Sequence, residues 1–222
     1  QEHAVASGTL PNGKPVIVNS DGTVSVVEAA TGTESIGTEV VFESGMTRAI
    51  CSVYDTANDR IVIAYRDDDN SNYGTAVVGT VGSNTISFGT PVVFNTGNTN
   101  QLSITFDSSN NKVVIAYRDI GNSGYGTGIV GTVSGTSISF GTEVVFESAA
   151  IEQTSSAFDV NAGKVVIAYR DDGNSTSGTA VIGTVSGTSI SFGTPVVFNS
   201  GASGDYSVVY NSDAQNVIIA YR

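Results

Sequence analysis

Three stretches of the chain share one pattern of polar side chains: Asp67–Asn70–Tyr73, Asp119–Asn122–Tyr125 and Asp171–Asn174–Ser177. Each runs from an Asp to an Asn three residues on, and then to an aromatic or hydroxyl residue three further. Carboxylate and amide oxygens are what Ca²⁺ takes as ligands, so Asp67, Asp119 and Asp171 are candidate Ca²⁺ positions. Each loop offers few ligands for a hard cation, however. The same residues also make Asx-stabilised hairpin loops, and that is the simpler expectation. No metal other than Ca²⁺ and no cofactor is expected. Tyr73 and Tyr125 stand beside Asp and Asn, and an aromatic face with planar polar groups suits a sugar ring. The candidate ligand-binding set is therefore Asp67, Asn70, Tyr73, Asp119, Asn122, Tyr125, Asp171 and Asn174.

Arg66, Arg118, Arg170 and Arg222 recur just after a Tyr, and the first three precede an Asp. Converging guanidinium groups grip carboxylates, so these arginines could face an acidic ligand. A residue demanded in every copy more often serves the scaffold. Each Arg is expected to pair with an Asp of its own repeat or the next.

Signals for catalysis are poor. His3 is the only histidine, which excludes a His-dependent triad and a multi-histidine metal centre. Two carboxylates could hydrolyse a glycoside without histidine. Yet Glu39, Glu43, Glu143 and Glu147 alternate with Pro or Asn in the other copies, as exposed strand positions would. No catalytic residue is assigned, and the chain is not expected to be an enzyme.

The loops and arginines are positioned by a repeat. Ile-Ala-Tyr-Arg occurs at 63–66, 115–118, 167–170 and 219–222, always 52 residues apart. A degenerate copy, Val16-Ile-Val-Asn-Ser20, precedes the first. Such a period marks a tandem array of one supersecondary unit. Each copy reads as four strands: Ser103–Phe106, Lys112–Arg118, Thr127–Val133 and Ser137–Phe146, the last interrupted at Gly141-Thr142. Val-Val-Ile-Ala-Tyr is apolar on both faces of the pleat, as in a strand covered on both sides. Asp107–Asn111 and Ser134-Gly135 read as tight reversals. The Gly at 37, 89, 141 and 193 predicts a bulge or bend.

Four antiparallel strands in about 50 residues is the size of a propeller blade. The expected fold is therefore all-β, a single β-propeller over residues 1–222, with blades near 3–47, 48–99, 100–151, 152–203 and a partial 204–222. That is a five-bladed ring with four complete blades and an incomplete one, with a β-solenoid as the alternative. The incomplete blade allows an oligomer or a parent array.

Net charge is −12 with a pI near 4.2, which repels phosphate backbones and disfavours nucleic acid as a partner. No apolar run approaches the roughly 20 residues that cross a bilayer, so no membrane insertion is expected. Cys51 is the single cysteine; Ser103, Ser155 and Ser207 stand at its place in the other copies, so it reads as a small strand residue.

The segments Asn111-Lys-Val-Val-Ile-Ala-Tyr-Arg-Asp119, Gly131-Thr-Val-Ser-Gly-Thr-Ser-Ile-Ser-Phe-Gly-Thr142 and Val144-Val-Phe-Glu-Ser148 resemble repeats in tail-associated virion proteins of marine, cyanophage-like bacteriophages. The resemblance spans about Gly13 to Arg222 and brings no catalytic residues. It implies a structural or host-recognition module on a virus particle, extracellular or virion-borne. Its partner would be a cell-surface glycan, a cell-surface protein or another virion protein. The blade size is also similar to that of five-bladed lectins of the tachylectin type, in architecture alone. A secreted bacterial lectin or adhesin is the second functional expectation, and a propeller glycoside hydrolase the third.

Overall fold

A computed structural model describes residues 5–6, 16–18, 20, 23–26 and 37–222. The chain divides into two compact units, Gln1–Ile36 and Gly37–Arg222. Among the described residues all regular structure is β apart from one 3-10 turn, Ile120–Asn122.

The first unit is a small sheet of β1 (Val5–Ala6), β2 (Val16–Val18) and β3 (Thr23–Val26). β3 pairs with β2 antiparallel and with β1 parallel, giving the order β1-β3-β2. This differs from the repeats that follow, where the first strand pairs with the second. The rest of the expected first blade before residue 37 lies outside the described residues.

The second unit is built from three copies of one four-stranded motif. The first copy comprises β4 (Thr47–Asp55), β5 (Arg60–Asp67), β6 (Tyr73–Val81), β7 (Ile86–Phe88) and the start of β8 (Val92–Asp107). The second runs from the remainder of β8 through β9 (Lys112–Asp119), β10 (Tyr125–Ser134) and β11 (Ser137–Phe140) into β12 (Val144–Asp159). The third continues from β12 through β13 (Lys164–Asp171), β14 (Ser177–Ser186) and β15 (Ser189–Phe192) to β16 (Val196–Ala202). A hairpin of β17 (Ser207–Asn211) and β18 (Asn216–Ala220) follows. All pairing in this unit is antiparallel.

The strand boundaries differ from the expectation in one respect. The end of one copy and the beginning of the next are a single strand. β8 pairs with β6 through Val92–Asn98 and with β9 through Thr99–Asp107. β12 does the same between β10 and β13. The polar run Asn95-Thr-Gly-Asn-Thr-Asn-Gln101 reads as a loop. It stays extended because its two halves find hydrogen-bond partners in two different strands, β6 and β9, of one 13-stranded sheet. Just past the handover each strand carries a bulge, between Asn100 and Ser103 in β8 and between Glu152 and Ser155 in β12.

Packing between copies is apolar and periodic. Val113, Ile115 and Tyr117 of β9 are buried with Val62, Ala64 and Phe94 of the preceding copy. Val165, Ile167 and Tyr169 of β13 repeat this with Val114, Ala116 and Phe146. Phe94 lies 5.3 Å from Tyr117 and 5.5 Å from Phe140, and Phe146 lies 5.2 Å from Tyr169 and 5.3 Å from Phe192. These tilted and edge-on pairs add about 0.5–1.5 kcal/mol each beyond area burial.

The Gly-Thr glycines break the fourth strand as expected, between β7 and β8 and between β11 and β12. They also have a second duty. A Cβ on Gly89 would lie 1.8 Å from the Thr136 carbonyl oxygen, and one on Gly141 would lie 1.8 Å from that of Thr188. Here the backbone of one copy touches the turn of the next, and no side chain fits between them.

Candidate functional site

The three Asp–Asn loops join the second and third strands of each copy. Their Asp and Tyr (or Ser) positions face each other as the closing pair of the hairpin: Asp67 with Tyr73, Asp119 with Tyr125, Asp171 with Ser177. Asp67 Oδ1 accepts from Asn70 N at 3.1 Å, and Asp119 Oδ1 accepts from Asn122 N at 3.1 Å. These are Asx turns, and they use carboxylate oxygens that a cation would need. In the third loop Asn174 N reaches the Asp171 carbonyl instead, at 3.2 Å, and Asp171 Oδ1 has no hydrogen-bond partner. Among the described residues no three His, Cys, Asp or Glu side chains gather as a metal site.

Each loop is also tied to a residue about 27 positions on, in β8, in β12 and just past the end of β16. Thr99 N donates to Asn72 O at 3.0 Å, Ile151 N to Gly124 O at 3.0 Å, and Ser203 N to Thr176 O at 3.2 Å. The loops are thus clamped at their bases while Asn70, Asn122 and Asn174 stay exposed at their tips. Asp119 and Asp171 are buried, whereas Tyr73 and Tyr125 are half-buried with part of each side chain open to solvent. Burial, and secondarily the carboxylate of Glu147, raises the Asp171 pKa above the ordinary carboxylate value.

The recurring arginines all find carboxylates. Arg66 Nε meets Asp68 Oδ1 at 2.5 Å, and Arg48 Nε meets Asp68 Oδ2 at 2.8 Å. Arg170 Nε and Nη2 lie 2.6 and 3.3 Å from the two oxygens of Asp172. Arg222 Nε lies 3.2 Å from Asp205 Oδ2. Arg118 departs from the Arg–Asp pattern, because Ile120 stands where the other copies have Asp68 and Asp172. Its Nη1 bonds to Glu152 of the next copy instead.

Sequence reasoning placed Glu39, Glu43, Glu143 and Glu147 on exposed strand positions, which holds for Glu39 and Glu143 and needs correction for Glu43 and Glu147. Tyr65 Oη donates to Glu43 Oε2 at 3.2 Å, Tyr117 Oη to Glu143 Oε2 at 2.6 Å, and Tyr169 Oη to Glu147 Oε2 at 3.0 Å. The three tyrosines are fully buried; of their partners, Glu43 and Glu147 are half-buried and Glu143 is exposed. Burial and the adjacent carboxylate push each phenol pKa far above its usual value. Tyr117 turns to Glu143 because Asn95 replaces the Glu that the other two copies supply. The Glu/Asn and Glu/Pro alternation was the signal for this exchange.

A further set was missed altogether. Ala49, Gln101, Gln153 and Asp205 recur at the bulge and share a left-handed backbone, with φ of 49°, 52°, 54° and 54°. Gln101 Oε1 accepts from Gln153 N at 3.3 Å, and Gln153 Oε1 accepts from Asp205 N at 3.0 Å. One bulge side chain thus holds the next bulge backbone. Only the 52-residue recurrence of a polar residue two before Ser103, Ser155 and Ser207 hinted at it, and Ala49 breaks it in the first copy.

No family model matches this chain, and no curated protein matches it.

Proposed function

We propose that this protein is a non-catalytic binding and structural module, virion-surface or tail-associated, that recognises a cell-surface glycan or another virion protein. One observation carries the reading. The same short loop is presented three times, each time clamped by a backbone bond from the corresponding later residue, Thr99, Ile151 or Ser203, with exposed amides and two half-open tyrosines. Such a loop is pre-ordered, so binding loses little conformational entropy. Recurrence also offers a multivalent ligand several equivalent contacts. An active site is needed once, and threefold repetition with each recurring Arg already beside a carboxylate argues for display over catalysis.

The architecture that goes with this reading is a five-bladed β-propeller with four complete blades and an incomplete one. The periodic interface through Phe94, Tyr117 and Phe140 supports it. Ca²⁺ is not required: two of the three loop aspartates already spend an oxygen on an Asx turn.

A glycan array probed with the purified protein, alongside purification with virus particles, tests the reading. Binding to a defined glycan class or retention on particles is expected. Turnover of chromogenic glycosides, with neither form of binding, would overturn it.

A further inference from the structure

The interface between the third copy and the C-terminal hairpin lacks a carboxylate that the interface before it contains. In the earlier interface Glu152 sits opposite Arg170 in the strand register. Its carboxylate takes Arg118 Nη1 on one oxygen and Gln101 Nε2, at 2.7 Å, on the other. One repeat later the corresponding residues are Gly204, Arg170 and Gln153. Gly204 holds the same place in the register, exchanging backbone bonds of 3.0 and 2.9 Å with Arg222. It brings no carboxylate.

Both donors remain. Arg170 spends Nε and Nη2 on Asp172, which leaves Nη1, the atom that Arg118 uses on Glu152. Gln153 Oε1 keeps its ladder bond to Asp205 N, as Gln101 Oε1 does to Gln153 N, and it leans over Gly204, 2.3 Å from where a Cβ would lie. Its Nε2 reaches only Asp205 Oδ1, at a weak 3.4 Å. Where the Glu152 side chain would lie there is instead a cleft of about 250 Å³, lined by Gln153, Arg170, Ala202, Ser203, Gly204 and Arg222. Arg222 adds a second guanidinium to its wall.

We infer that this cleft is a binding site for a small organic carboxylate, which takes the two hydrogen bonds that the Glu152 carboxylate takes one repeat earlier. Two N–H donors with a guanidinium among them select a planar anion over a neutral amide, since an amide presents one acceptor oxygen and an unwanted donor. The site borders the third Asp–Asn loop, whose Thr176 carbonyl takes Ser203 N, but it uses none of that loop's exposed side chains and stands whether or not the loops bind a glycan.

Sodium propionate is the probe, because it is the glutamate side chain without its backbone. In ¹H–¹⁵N spectra of the full chain, propionate should shift the Gly204 and Asp205 amides and the Gln153 side-chain amide saturably. Propionamide, and sodium chloride at equal ionic strength, should not. Gly204→Glu, whose Cβ makes the flexible end of Gln153 swing aside, puts the missing group back and should weaken the propionate response at least tenfold. Glu152→Gly opens the equivalent cleft at Arg118 and should add a second response at the Gln101 side-chain amide. Equal shifts with propionamide or chloride overturn the assignment. So does an unchanged response in folded Gly204→Glu, or the absence of any response at Gln153 in the unaltered protein, whatever the variants do.

Discussion

Gly89 meets the carbonyl oxygen of Thr136 so closely that a Cβ would lie 1.8 Å from it, and Gly141 meets Thr188 in the same way one repeat later. At Gly193, the next position in the series, the nearest foreign atom to a Cβ is Ile182 O at 3.7 Å. The glycine is thus needed where a following copy packs against it and is spare where none does.

This asymmetry gives a mutational test of the interfaces. Gly89→Ala and Gly141→Ala should each cost about 1–3 kcal/mol by forcing backbones apart. Gly193→Ala should stay within about 0.5 kcal/mol of the unaltered protein. Urea denaturation of the three variants measures this. Equal losses at all three would mean that the glycines serve only the strand break.

Replacing Ala116 with Leu should also overfill the space between copies. Ala116 is buried with Phe146, Ile167 and Tyr169, and the added volume should cost about 1–3 kcal/mol in the same experiment.

The two perturbed loop aspartates respond to pH with opposite signs. Asp68 is held below the ordinary carboxylate range, chiefly by its hydrogen bond to Arg66 and also by Arg48. A depressed folded pKa stabilises above the unfolded value, and that stability is lost as pH falls through the folded one. Asp171 is raised, by burial first. Its native state favours the proton, so stability declines as pH rises through the unfolded and then the folded pKa. Asp68→Asn should therefore flatten the acid limb of a Tm-against-pH curve, while Asp171→Asn should raise Tm at neutral pH relative to acid. A reversed sign for either would contradict the assigned environment.

Cys51 should be inert in the folded protein. Burial pushes its thiol up to about 12, and its Sγ faces the Ala64 carbonyl at 3.7 Å. Labelling by a thiol-disulfide reagent at pH 8 should follow unfolding, with acceleration in urea. Rapid labelling of native protein would show an accessible thiolate.

Much of this fold can be read in the chain because the repeat averages out local ambiguity. The two-sided apolar run at Val113–Tyr117 marks a covered strand, and Asp107 to Asn111 marks a turn. In the structure Asp107 Oδ1 accepts from Ser109 N and Asn110 N at 2.9 and 3.0 Å. Continuity through Asn95–Gln101 was not legible, since polar residues and a Gly mimic a loop unless both flanking sheets are known. Partners that depend on distant segments were equally hidden. Tyr117 and Glu143 are 26 residues apart, Arg118 and Glu152 are 34 apart, and nothing local announces either pair. The loop residues were found by composition, but their division into buried aspartates and exposed asparagines needed the hairpin register.

The central claim is that clamped, recurrent loops do the binding while the sheets only hold them. Its most direct test compares the unaltered protein with a Tyr73→Ala/Tyr125→Ala double variant for affinity towards the glycan or virion protein that the array or particle assay identifies. The account predicts an unchanged urea midpoint, within about 0.5 kcal/mol in stability, with binding weakened at least tenfold. Undiminished binding, or a variant that loses its fold along with its ligand, would contradict it.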